Sequence, residues 1–256
     1  MTRFTVGLIS VPLAMAVAAV LSGQGPAAPP MATPNAARDL RGAIDIHVHG
    51  DPDSVPRLAD GIELAKLAAR RGMRAIVLKN HFDPTAGLAF LARKEAPGLE
   101  VFGGVDLNLP VGGMNPNAVD YMAKMNGGYG RMVWMSTSDA ENQVRANRPG
   151  APFVRVAQNG ELLPETKAVI AAIARHNFVL ASGHVSADEA LMMFREGKRA
   201  GVGHMVATHG MWPPTSLSAF ALLVPNQCVQ TYGSKLHLTT RLLFENTIPM
   251  NLFPLS

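Results

Sequence analysis

The chain has 256 residues, of which 48% are hydrophobic and 16% charged, so it can bury a substantial core and wholesale disorder is excluded. Its net charge of +4, or +3 without Arg3 in the leader described below, comes with no long basic run, which excludes a nucleic-acid partner as the expectation. The single cysteine, Cys228, excludes an intrachain disulfide framework and a thiolate zinc site, leaving the eight histidines as the plentiful soft ligands.

In chain order, Met1–Arg3 is short and basic, Phe4–Leu21 is apolar, and Ser22–Gly25 is small and polar. This is the layout of a secretory signal peptide, assigned to residues 1–25. At about 18 residues the apolar run is at the lower edge for a membrane span. No stable membrane insertion is expected after leader cleavage, and the mature protein is placed in the periplasm or outside the cell. An uncleaved anchor and a misassigned start codon are the alternatives. Pro26 disfavours cleavage directly after Gly25, and no Cys follows the apolar run to carry a lipid. Residues 26–38 are rich in Pro and Ala and read as a flexible linker, so the fold is expected from Asp39.

From there the chain alternates strand and helix. Ala43–Ile46 is a β-branched run, and Leu58–Arg71 has helical apolar spacing through Leu58, Ile62, Ala65 and Ala69, stopped by Gly72. Met73–Leu78 is a strand, Pro84–Ala96 a helix, and Leu99–Leu107 a third strand. Asn115-Pro116 caps and opens a helix to about Met125. Arg131–Met135 is a fourth strand, Pro164–His176 a helix, Phe178–Ala181 a fifth strand. Ser186 and Glu189 form a capping box for the next helix, and His204–Ala207 is a sixth strand. The strand ends fall near His49, Lys79, Asn108, Thr137, His184 and His209, at intervals of 30, 29, 29, 47 and 25 residues. The long interval holds an extra piece, Ser138–Leu163, in which Asn159-Gly160 suggests a hairpin. This beat indicates a parallel α/β fold. Lacking a glycine-rich phosphate loop, it points to a (β/α)8 barrel of the TIM type, with a doubly wound sheet as the alternative.

In such folds the ligand site lies at the carboxyl ends of the strands. Here those ends carry His47-Val48-His49, Lys79-Asn80-His81, His184 and His209, while His176, His204 and His237 fall elsewhere. Alternate strand residues face one side, so His47 and His49 point into the same space. A lone strand-end histidine is ordinarily a hydrogen-bonded polar residue. Several together repel one another when protonated and invite a metal that prefers them neutral.

The segments Asp45-Ile46-His47-Val48-His49, Ile76-Val77-Leu78-Lys79-Asn80-His81, Val133-Trp134-Met135, Ser182-Gly183-His184 and Thr208-His209 resemble the amidohydrolase superfamily of metal-dependent hydrolases. From Ala43 to about Ser218 the chain is similar to a family of bacterial amidohydrolase-like proteins. The resemblance implies a divalent metal, Zn2+ by expectation, held by His47, His49, His184 and His209. Such an ion acidifies a bound water to a pKa of about 7 and polarises the bond to be attacked. In two-metal members a carboxylated lysine after strand four bridges the ions; Thr137 stands there in this chain, so that bridge is not supported. Lys79 and His81 are the candidate catalytic residues, placed to position a small-molecule substrate. Lys79 orients an anionic group, bridges in an unusual way, or snorkels at the rim; His81 is a further ligand, a substrate contact, or simply hydrogen-bonded.

Other polar residues have ordinary readings beside functional ones. Asp45 should share the face of the His pair, in a buried salt bridge or behind a ligand. Asp51 and Asp53 read as a solvated turn, Asp139 as a loop cap or pocket residue, Asn108 as a substrate contact or a structural amide, and the methionines as core filling.

The superfamily's last-strand Asp has no counterpart, because no aspartate follows Asp188. Met211–Ser256 is 46 residues, whereas two more units at this beat take about 60, so the barrel is expected to be incomplete or altered at the C-terminus. Residues 219–256 are read as a divergent tail, from a frameshift or a real ending. The expected function is hydrolysis of a C–N or C–O bond of a small molecule by metal-bound water. The alternatives are a metal-dependent decarboxylase, a non-catalytic degenerate barrel, and a periplasmic solute-binding protein. Nothing in the sequence sets the oligomeric state.

Overall fold

The computed structural model describes residues 40–210 and a short strand at Gln227–Val229. The leader, the linker and the rest of the tail lie outside the described residues.

Seven parallel strands form one sheet: β1 Ile44–His49, β2 Ala75–Lys79, β3 Glu100–Asp106, β4 Gly130–Trp134, β7 Val179–Ala181, β8 His204–Ala207 and β9 Gln227–Val229. Their order is β1-β2-β3-β4-β7-β8-β9, with β5 Ala157–Gln158 and β6 Glu161–Leu162 forming a separate hairpin. The order never reverses. Right-handed crossovers therefore put the connecting helices on a single face, which is the winding of a barrel and not of a doubly wound sheet. The other face carries Ile46, Ala75, Val77, Phe102, Met132, Trp134, Val179, Ala181 and Val206, all buried and in one cluster. No described helix covers that face. The sheet buries it by curling on itself, so that β1 and β8 contribute to the same inner core. This is an incomplete (β/α)8 barrel. Within the stretch read as a divergent tail, β9 continues it, pairing Val206 with Cys228 in parallel register.

The helices are α1 Gly61–Arg70, α2 Ala86–Glu95, α3 Pro116–Ala123, α4 Glu141–Asn147, α5 Pro164–Arg175 and α6 Ala187–Ala200. Their apolar sides pack on the outer face of the sheet in two clusters, one centred on α1 and α2 and one on α3, α5 and α6. The caps decide where they begin. The first helix starts at Gly61, later than the apolar spacing suggests, because the Asp60 carboxylate accepts the Ile62 and Glu63 N–H groups at 2.8 Å. Leu58, expected on the helix face, is left fully exposed. The Asn115 side chain caps α3 at 3.0 Å, and Ser186 with Glu189 forms the capping box of α6. Asn159 and Gly160 both have positive φ, 53° and 80°, the backbone of the tight turn that joins β5 to β6. Helix α4 was not signalled by apolar spacing; among its residues only Val144 is buried. Among the described residues no helix is long and apolar enough to cross a membrane.

Candidate metal centre

The inner face becomes polar at its carboxyl end. In β1 the register against β2 slips: Asp45 pairs with Ile76 but Val48 with Leu78, so β1 spends three steps where β2 spends two. Such a bulge switches the face a strand presents. Val48 then packs outward with α1 and α2, while His49 stands opposite Lys79. Strict alternation from the His pair would place Asp45 on their side. The extra residue moves it out of phase, and its carboxylate accepts only the His47 N–H at 2.9 Å among the described contacts.

The strand-end histidines meet. Ring centroids run from His81 to His49 at 4.8 Å, His49 to His47 at 4.9 Å, His47 to His209 at 4.9 Å, and His209 to His184 at 5.2 Å. Five imidazoles form one arc. The Nε2 atoms of His47 and His49 lie 3.0 Å apart. Trp134 closes the floor, edge-on to His47 at 5.8 Å. Burial, then the Lys79 charge and neighbouring cations, pulls His49 down to about 3. Burial, then Lys79, lowers His209 to about 4, and the same two effects lower His184 and His81. These rings are neutral at neutral pH, the state in which imidazole binds a metal. By contrast His176 pairs with Asp120 at 2.7 Å on the helix side, His204 opens β8, and His237 lies outside the described residues.

Unusual backbone lies at or next to two of the arc histidines. Gly183 has φ +68°, and a Cβ there would collide with the carbonyls of Met135 and Ser136. His184 itself donates its N–H to the Ser136 carbonyl at 3.0 Å. Its Nδ1 faces the side-chain oxygen of Gln143. His209 adopts φ 49°, a region that few residues other than glycine enter and that concentrates at working sites.

Lys79 is not at the rim. It is 2% exposed, pairs with Asp106 on β3, and lies 5.1 Å over the Trp134 ring. Thr137 Oγ1 also donates to Asp106 Oδ2, at 2.8 Å, while Oδ1 has no hydrogen-bond partner among the described residues. Burial pushes Lys79 down and Asp106 up, each opposed by the other's charge. The ammonium therefore spends its contacts inside the barrel, and snorkelling is overturned.

Asp53 does not lie in a solvated turn either. Its side chain is 0% exposed. It accepts Arg57 Nε at 2.7 Å and the N–H groups of His81 and Ser54 at 2.9 and 2.7 Å, and it faces His81 Nδ1 at 2.9 Å and His49 Nδ1 at 3.4 Å. Burial alone would raise its pKa; the Arg57 and backbone donors outweigh that and hold the carboxyl well below its usual range. His49, Asp53 and His81 offer three donor atoms within 4.8 Å of one another. That trio, however, already surrounds a cation: Arg57 Nη2 lies 3.1 Å from His49 Nδ1 and 3.2 Å from His81 Nδ1 and pairs with Asp53. It reads as a bracket holding His49 and His81 from behind, with His49 Nε2 turned to His47.

Asn108, a possible substrate contact by sequence, is fully engaged. Its oxygen accepts the Thr137 N–H at 2.9 Å and the Ser136 hydroxyl at 3.1 Å; its amide donates to the His81 carbonyl at 3.0 Å and Thr137 Oγ1 at 2.9 Å. It ties three strand-end loops together. Asp139 caps a loop, accepting the Leu109 N–H at 3.0 Å. Sequence reasoning missed Asp106, Arg57 and Gln143. Only Asp106 left a signal, an acid between Val105 and Leu107 in an apolar run.

Comparison with known proteins adds the following. No curated protein matches the chain. Among solved structures it is similar to an amidohydrolase II, at 13% identity and TM-score 0.43, over 79% of this chain and 82% of that one. It is also similar to a Xaa-Pro dipeptidase with bound methionine in the active site, at 15% identity and TM-score 0.39, over 71% of this chain and 50% of that one. A third is described as a lyase/mutase from Burkholderia cenocepacia J2315, at 16% identity and TM-score 0.33, over 82% of both chains. A family model, described as a family of unknown function and designated DUF6282, matches residues 42–224. That span covers the sheet from β1 to β8 with every strand-end histidine and most of the 256 residues, and the chain belongs to the DUF6282 family.

Proposed function

We propose that this protein is a metal-dependent hydrolase of the amidohydrolase type, acting on a C–N or C–O bond of a small molecule. The observation that carries the reading is the continuous arc of imidazoles at the carboxyl end of a barrel sheet. The His47–His49 pair of nitrogens fits a divalent ion. Two nitrogens on one tetrahedral zinc are about 3.3 Å apart, and the His47 and His49 Nε2 atoms are separated by 3.0 Å. That contact holds one proton between the two rings. An ion held there would take the proton's place. His47, His49, His184 and His209 would hold the ion, and their nitrogen donors favour Zn2+. When bound, such an ion lowers the pKa of water and polarises the bond under attack.

The chain's own residues supply the rest. The Asp53 carboxylate fixes a proton on His81 Nδ1, which leaves Nε2 as the basic nitrogen. His81 has a side chain 15% exposed at the mouth, so it is the group to accept a proton from the attacking water and return it to the leaving atom. Asn108 steadies its backbone carbonyl. Lys79 pairs with Asp106 beneath the arc, and its charge adds to burial in keeping the histidines neutral. A decarboxylase would use the same groups.

The test is elemental analysis of the purified protein beside a His47→Ala, His49→Ala double variant, followed by a panel of amides, esters and carboxylic acids. About one divalent ion per chain, absent from the variant, with turnover that depends on it, is the expected result. Folded protein that binds no metal from excess zinc would overturn the reading.

A further inference from the structure

The longest interval between strand ends, 47 residues from Thr137 to His184, carries α4 and the β5–β6 hairpin. A barrel needs no such insertion to close its sheet. Two consecutive residues of α4 reach out of it to one histidine. Asn142 Nδ2 donates to the His184 carbonyl at 3.2 Å, and Gln143 Oε1 meets His184 Nδ1. An amide oxygen can only accept, so Nδ1 carries the ring proton and Nε2 is the basic nitrogen. The backbone of His184 is fixed from the opposite side by the Ser136 carbonyl and by a Gly183 that admits no side chain.

The helix that carries this amide is itself held. Val144 is buried, and the Glu141 N–H is accepted by the Val154 carbonyl at 3.1 Å. The Glu141 carboxylate takes Arg155 Nε at 2.7 Å and Arg145 Nη2 at 2.6 Å. The insertion is thus a small rigid bracket resting on the barrel wall, with its amide aimed at a candidate ligand.

We propose that Gln143 is a positioning residue for the metal centre: it sets the tautomer and orientation of His184 so that Nε2 faces the ion. The 138–163 insertion exists to present it. This rests on the metal reading above. Histidines that bind metal characteristically donate their second N–H to an acceptor, and losing that acceptor weakens binding by about 10–100-fold.

Two measurements on the full chain test it. In metal-free protein with ¹⁵N-labelled histidine, His184 should show a protonated Nδ1. Gln143→Met, which keeps the length and removes the acceptor, should turn that signal into a tautomer mixture, and Gln143→Glu should preserve it. In chelator competition, Gln143→Met should bind Zn2+ about 10–100-fold more weakly and Gln143→Glu within a few-fold of wild type. Should Gln143→Met not fold, Gln143→Ala replaces it. An acceptor-free variant with wild-type tautomer and wild-type zinc affinity would overturn the proposal. Wild-type protein that binds no zinc would sink the metal reading, and the tautomer measurement alone would then decide whether Gln143 governs His184.

Discussion

Lys79 and Asp106 are both buried to about one part in fifty, and they pair across β2 and β3. Removing one partner leaves an uncompensated charge, which costs about 3–5 kcal/mol, whereas replacing both by apolar groups is close to neutral. Lys79→Met should therefore destabilise the protein by about that amount, and Lys79→Met with Asp106→Leu by much less. Chemical denaturation of the two single variants and the double variant measures it; a double-variant loss equal to the sum of the two single losses would show that the pair is not coupled. Lys79 was legible in the sequence as a strand-end lysine, but its partner was not, because Asp106 sits within a run of core residues. Counting by twos from Phe102 through Gly104 places Asp106 on the inner face with Lys79. Asp53 and Arg57 had no such signal. Their loop folds back over the mouth through Asp51, which bonds Ala59 and Gly61, and that closure is a tertiary event.

At the scale of elements, irregularities matter more than regular segments. The beat of strands and helices could be read from apolar periodicity and caps. The slip in β1 could not, because no residue in Ile44–His49 marks a bulge. It nonetheless allows Ile46 to join the inner core while His49 aligns with Lys79. In β3, Gly104 faces the Met132 carbonyl and the Trp134 ring with no room for a Cβ. Gly104→Ala should push Trp134 off its floor position and cost about 1–3 kcal/mol, read as a lowered denaturation midpoint. Helix α4 has its own sensitivity. The Arg155 and Arg145 contacts lower the Glu141 pKa below its ordinary 4.5. A depressed carboxylate contributes stability above its unfolded pKa and loses it as the pH falls through the folded one. Wild type should exceed Glu141→Gln in stability at pH 7, and the gap should close below about pH 4. A gap that stays constant from pH 7 to pH 3 would show that the ion pairs do not hold the helix.

For the molecule as a whole, the consecutive strand order sends every crossover helix outward and leaves the inner face to its own side chains. Apolar residues fill its amino end and centre; imidazoles, a buried ion pair and an indole fill its carboxyl end. An ion that binds only the folded chain stabilises it by mass action, by about 2.7 kcal/mol at one hundred times its Kd. Added zinc should raise the melting temperature of wild type and leave that of the His47→Ala, His49→Ala double variant unchanged. A wild-type melting temperature indifferent to zinc would contradict a formed site.

Trp134 is one of two tryptophans in the chain; the other, Trp212, lies outside the described residues. It is completely buried, and it sits between Lys79 and His47. Its fluorescence is therefore an optical gauge built into the centre. In a Trp212→Phe background the emission should be blue-shifted, as befits an indole sealed from water. A paramagnetic ion such as Co2+ or Cu2+ seated among the histidines should quench it, titratably and reversibly with chelator. Occupancy of the site can then be followed with light alone, before any substrate is known.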